Sequence, residues 1–426
     1  MNTGSYELIR GVQAAHLRTL ALTDDLADSQ LTVSLVESLN PFLWELGHVA
    51  FFCELFLLRE LDGGELLIKN GNDLYNSFDV PHAERWELAL PNREATRDYM
   101  KTVLSRVLER VKGRELTQRE RYLYRMVANH EDMHGEAFTY MRQQAELSAP
   151  PAVLAGMMRK RPAAGSLPGD VEVPGGNFML GADSTSDFAY DNEKWAHEVQ
   201  VAPFRIARAP VTNEEFAAFV ADEGYARQEF WSRAGWSWRK ANAAQEPAYW
   251  RGDGSNWVRV NYDECVALEG DQPVSHVSYY EAEAYCRWAK RRLPSEAEWE
   301  LAASGSPGPK RIYAWGDDAS HTTKSNSGSQ HGSCVDVADF AAGESTFGCR
   351  QMLGNVWEWT ASEFYPFPGF QLDDPYKEYS APWFGDRKVL RGGSWATQAS
   401  LTYITYRNFF PPRRRDIISG FRTCQA

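Results

Sequence analysis

The chain has 426 residues, enough for two or three domains and a large core. Its 45 Lys and Arg against 58 Asp and Glu leave a net charge of −13, which argues against nucleic acid or an anionic membrane as the main partner. No stretch approaches the ~18 uninterrupted apolar residues of a membrane span, and residues 1–7 lack the basic and apolar regions of a signal peptide, so a cytoplasmic location is expected.

From residue 6 to about 147 the apolar spacing is helical. Ile9, Val12, Leu17 and Leu20 predict a first helix that Asp24 and Asp25 break. Asn40 and Pro41 resemble the cap and first-turn proline of a second helix reaching about Leu61, with 31–39 either separate or part of the same helix beyond a kink. A turn-rich link containing Asn76, His82 and Arg85 leads to a third helix over 92–111 and a fourth over 117–147. Four such helices predict a bundle over residues 1–150, and bundle cores are a usual place for metals held between facing helices. Residues 151–170, with the basic run Arg159-Lys160-Arg161 and Gly165 to Gly169, read as a surface linker, and a second domain over 171–426 follows.

The fourth helix carries Asn129-His130-Glu131-Asp132-Met133-His134-Gly135-Glu136. At helical spacing His130 and His134 project from one face, about 5–6 Å apart at their β-carbons, where two imidazoles can grip one ion. Glu131 and Glu136 point elsewhere at ~100° per residue, so a third ligand has to come from another segment. His48, one turn after Trp44 in the strongly apolar second helix, is the best choice; His16 and His82 compete. Three imidazoles without a carboxylate leave positions open on the metal, which suits Fe(II) handling O2 or Zn(II) holding a water.

Six cysteines (Cys53, Cys265, Cys286, Cys334, Cys349, Cys424) are scattered without a C-x-x-C pair, which fits a reduced compartment. The aromatic residues are concentrated after residue 178, as expected of a loop-rich domain held by ring packing. Residues 171–181 read as a short strand pair around a Gly turn, Thr212 as a helix cap, and 279–291 and the segment after Ser295 as helices.

With Gly354-Asn355-Val356-Trp357-Glu358-Trp359, Arg391-Gly392-Gly393-Ser394-Trp395 and the tail Gly420-Phe421-Arg422, these phrases resemble the formylglycine-generating-enzyme, or sulfatase-modifying-factor, fold. The resemblance implies an α+β chain in which a DinB-like four-helix bundle precedes a C-type-lectin-like domain with little regular secondary structure. It also makes Trp357, Trp359 and Arg391 scaffold. The last sixty residues hold only Cys424, so the cysteine-pair chemistry of formylglycine generation is not expected.

A bundle with W-x-x-x-H and H-x-x-x-H-x-E coupled to this domain is similar to the nonheme-iron sulfoxide synthases of ergothioneine biosynthesis and their selenoneine-synthase relatives. That likeness implies His48, His130 and His134 as Fe(II) ligands, and hercynine, the trimethylated betaine of histidine, as substrate with O2. It implies a hydrogen-donating tyrosine, for which Tyr376, Tyr379 and Tyr365 are the candidates, and substrate contacts from Asn408, Phe409 and Phe410, with Arg414 and Arg415 able to hold an anion. Relatives that take γ-glutamylcysteine have Asn-Trp-Asp where this chain has Asn408-Phe409-Phe410. Loss of the acid points to a selenosugar donor and selenoneine synthesis; a sulfoxide synthase using cysteine or γ-glutamylcysteine, and a noncatalytic binding module with structural Zn, remain the alternatives.

Overall fold

The computed structural model describes residues 3–159, 161–252, 256–305, 310–374 and 376–426. Lys160 of the basic run and Pro375, which opens the tyrosine loop, lie outside them. The chain divides into two compact units: residues up to Ala145 with Ala149–Ala152, and Glu146–Ser148 with Val153 onward.

In the first unit the four long helices are Thr3–Ala21, Phe42–Glu54, Arg93–Arg110 and Gln118–Gln144. The first packs on the fourth and the second on the third. The second continues through a π turn, Leu55–Arg59, into Glu60–Asp62, which accounts for the helical pattern reaching Leu61. Residues 31–41 are not helical. The fourth helix starts at a reciprocal cap in which Thr117 and Glu120 each bond the other's backbone N–H. Asn40 is not a cap: Pro41 holds that position, and the Asn40 amide turns instead to Glu45 and Arg85.

Residues 151–170 begin with a helix, Pro151–Met157, whose Val153 and Gly156 are buried. The expected hairpin over 171–181 does not form. Asp170–Val173 pairs antiparallel with Phe204–Ala207, while Gly176–Leu180 pairs with His197–Val201. Gly175, at φ +68°, turns between them so close to the backbone of 201–203 that a Cβ would overlap it.

The second unit is built on two four-stranded sheets. One runs Asp170–Val173, Phe204–Ala207, Cys424–Gln425, Arg291–Arg292; the other runs Asn408–Phe410, Lys388–Arg391, Trp357–Glu363, Ser419–Gly420. Thr212, Ser278 and Ser295 cap the helices Asn213–Ala221, Tyr279–Trp288 and Glu296–Ser304, each with a Glu three residues on. Phe178, Ile206, Trp299, Met352 and Cys424 share one core. Trp359 is fully buried and donates to the Val277 carbonyl, and Arg391 bridges Glu296 and Glu300 at 2.6 Å each, so these residues serve as scaffold. No helix among the described residues is long and apolar enough to cross a membrane.

Candidate metal centre

His48 stands on the second helix, His130 and His134 on the fourth. The three imidazoles each offer a ligand atom, and these atoms lie within 4.8 Å of one another. The Nε2 atoms of His130 and His134 are 3.3 Å apart. The competing histidines are engaged elsewhere: His16 lies 3.9 Å from Glu131, and His82 bonds the Leu39 carbonyl at 2.5 Å.

The atoms behind the rings decide which nitrogens face inward. His48 Nδ1 is 2.8 Å from the Tyr75 carbonyl, which can only accept, so Nδ1 carries the proton and Nε2 its lone pair. Gly47 permits this, because any Cβ there would overlap the Tyr75 ring. His134 Nδ1 is 2.5 Å from Glu45 Oε2, and the carboxylate fixes the same tautomer. Glu45 Oε1 accepts from Asn40 Nδ2 at 2.5 Å, and Asn40 Oδ1 accepts from Arg85 at 2.8 Å. Thus Arg85 donates to Asn40, and Asn40 and His134 both donate to Glu45, a chain that orients one ring while a backbone carbonyl orients another. Ring faces complete the clamp: His130 stacks on Phe52 at 3.5 Å, His48 on Trp44 at 4.8 Å, and the Arg85 guanidinium covers Trp44 at 4.0 Å.

The ionisation states fit a metal ligand set. Burial, reinforced by the charge of His134, lowers His48 to about 3, and burial with both neighbouring histidines holds His130 far below its usual range. Both rings are therefore neutral, as coordination requires. Burial alone would raise Glu45, but the charge and hydrogen bond of His134, with His48 and Asn40, outweigh it and set Glu45 at about 2. A buried carboxylate behind a histidine is the usual outer partner of a metal-bound imidazole. Three Nε2 donors need only a small convergence to reach the ~2 Å bonds of a first-row metal. The residues present fit such an ion.

The other predicted residues belong to the second unit. Tyr379 stacks on Tyr190 at 4.1 Å and lies 5.4 Å from Tyr376, with its hydroxyl 3.4 Å from that of Tyr406. Burial first, then neighbouring acids or phenols, raises both Tyr376 and Tyr379 above the ordinary phenol. Tyr365 is 55% exposed. Asn408–Phe410 is a strand in register with Lys388–Leu390. Phe409 stacks on Phe364 at 4.0 Å, and Phe410 lies under the Arg414 guanidinium at 5.0 Å. Arg414 pairs with Asp416, and Arg415 bonds the Glu246 carbonyl. Glu45, Asn40, Tyr75 and Gly47 were not foreseen. Asn40 and Glu45, five apart with one acid in an apolar helix, carry the only local signal.

A three-histidine DinB-like bundle joined to a sulfatase-modifying-factor domain defines the class of this protein. The sulfatase-modifying factor enzyme 1-like domain family matches residues 155–426 and the DinB superfamily residues 12–138. The chain is 39% identical over 434 residues to the hercynine oxygenase of Mycobacterium tuberculosis, covering 99% of both chains. It is 39% identical over 430 residues to that of Mycolicibacterium thermoresistibile, covering 98% of this chain and 94% of the relative. The formylglycine-generating enzyme of Streptomyces coelicolor is 33% identical over 253 residues, 53% of this chain and 78% of that enzyme. The chain belongs to the hercynine oxygenase family.

Proposed function

We propose that the protein is a nonheme Fe(II), O2-dependent enzyme that forms a carbon–chalcogen bond at imidazole C2 of hercynine. The observation that carries this reading is the cluster of His48, His130 and His134 in a chain similar from end to end to hercynine oxygenases. Bound Fe(II) would supply the activation of O2. The chain's own part is to present three imidazole nitrogens, hold the rings of His134 and His48 through Glu45 and the Tyr75 carbonyl, and seal the bundle side with Trp44, Phe52 and Arg85. Tyr376 and Tyr379 are the better hydrogen donors, because they sit in a ring cluster with Tyr190 and Tyr406 that shields them from solvent, whereas Tyr365 is exposed.

For the donor we favour a selenosugar, on the strength of Phe410. An α-ammonium group entering a buried pocket needs an acid to replace its water, and an aromatic ring supplies none. A thiol donor, cysteine or γ-glutamylcysteine, is the second reading, favoured by the full-length likeness to hercynine oxygenases. The test is anaerobic loading with Fe(II), then O2 with hercynine and each donor in turn, with products read by mass spectrometry. The selenosugar should give the highest kcat/KM, and Phe410→Asp should raise activity with γ-glutamylcysteine. Best turnover with γ-glutamylcysteine in the unmodified enzyme overturns the donor assignment; no O2-dependent product with any donor overturns the function.

A further inference from the structure

The turn that leaves the Asn408–Phe410 strand is closed by the Arg414 N–H on the Pro411 carbonyl at 3.1 Å. On it, Arg414 and Asp416 form a two-point ion pair. Arg414 Nε lies 2.6 Å from Asp416 Oδ1, and Nη2 lies 2.5 Å from Oδ2. Asp416 is only 7% exposed, and its backbone carbonyl accepts from His276 Nδ1 at 3.1 Å, which fixes where the carboxylate starts. Arg415 makes its own bonds, to the Glu246 carbonyl at 2.5 Å and near Glu281 at 3.4 Å. The Asp416 carboxylate therefore serves Arg414, whose guanidinium lies 5.0 Å over the Phe410 ring.

Free arginine is the strongest side-chain receptor for a carboxylate, because its fork matches two oxygens at once. Here the side-on fork is filled from within the chain, and the pair has no net charge.

We propose that Asp416 is a specificity-determining residue. By occupying Arg414 above Phe410 it withholds the guanidinium from the carboxylate of an amino-acid donor. What remains is a ring face and a neutral, polar ion pair, which suit an uncharged polyhydroxyl donor such as a sugar-borne selenol or thiol. The inference rests on the reading that the Asn408–Phe410 strand contacts substrate.

The test compares the Fe(II)-loaded full chain with Asp416→Asn. The variant removes the carboxylate charge and one of the two acceptors from the fork, so kcat/KM for γ-glutamylcysteine relative to the selenosugar should rise about tenfold or more, mainly through KM. Cysteine should gain and cysteine methyl ester should not. Asp416→Glu, which keeps the acid, should hold the wild-type ratio. Calorimetric binding of cysteine and its methyl ester without O2 provides a readout independent of turnover, and Asp416→Asn should tighten only the acid. An unchanged donor ratio and unchanged cysteine affinity in a variant that retains iron overturns the proposal, as does an equal gain with the ester. Failure of the wild type to convert hercynine with every donor would overturn the functional reading alone, since the calorimetric comparison still decides what Asp416 does.

Discussion

Glu45→Gln changes one atom and tests whether the chain behind His134 governs metal binding. Glu45 accepts twice, from His134 Nδ1–H and from the Asn40 amide. A glutamine can accept only at its oxygen. If the oxygen faces His134, its NH2 meets the NH2 of Asn40; rotating Asn40 then turns a second NH2 toward Arg85. If the NH2 faces His134, the imidazole has to move its proton to Nε2, the atom that would bind metal. Either arrangement places one donor against another at a position where Glu45 is only 2% exposed. Loss of such an outer partner typically weakens metal binding 10–100-fold, about 1.4–2.7 kcal/mol. Anaerobic Fe(II) titration against a competing chelator should show that drop, and Co(II) absorption should report an altered ligand field without any turnover. A Glu45→Gln protein that binds Fe(II) as tightly as the wild type would refute the reasoning.

His48→Ala, His130→Ala and His134→Ala should each abolish stoichiometric Fe(II) binding and turnover while the near-ultraviolet circular dichroism of the tryptophan-rich second unit persists; full activity in His48→Ala would remove it from the ligand set. Gly47→Ala should displace Tyr75 and with it the carbonyl that fixes His48, costing about 1–3 kcal/mol in urea unfolding and weakening Fe(II) binding as well. In the second unit, burial opposes ionisation of Glu300, but Lys310 and Arg391 outweigh it and hold the group at about 2, against an ordinary 4.5. A depressed carboxylate stabilises the fold above its unfolded pKa, so this contribution should be complete above about pH 4.5 and fade as pH falls toward 2. Glu300→Gln should flatten that part of the acid unfolding profile and cost about 3–5 kcal/mol at neutral pH by leaving Arg391 and Lys310 short of a partner.

What the sequence made legible about the metal centre was what depends on neighbours four residues away. His130 and His134 share a helix face by geometry alone, and His48 is recognisable because an imidazole in the apolar Phe42–Glu54 helix has to be directed somewhere. The orienting atoms were not legible. The Tyr75 carbonyl is 27 residues from His48 and Glu45 is 89 from His134, so both contacts exist only once the helices and the turn-rich link have packed. Nothing in residues 62–91 distinguishes Tyr75 or Arg85 from other turn residues. The same limit applies to strand pairing: residues 171–181 have the composition of a hairpin, but their partners lie beyond residue 196.

Asn40 shows how a local rule fails where a site makes its own demand. Asparagine before proline at the head of an apolar helix has the composition of a cap. Its amide oxygen could bond a first-turn N–H at little cost, and such a cap contributes about 1 kcal/mol. In the folded bundle that oxygen instead accepts from Arg85 and the amide nitrogen reaches Glu45, a buried carboxylate with the candidate ligand His134 on its other side. Leaving a buried carboxylate oxygen without a donor costs more than leaving a helix N–H to solvent. The amide therefore goes to the acid, and the helix begins uncapped at Pro41. The discrepancy between the expected cap and the observed network is thus a consequence of the candidate metal centre, and it places Asn40 with Glu45 among the residues that orient His134.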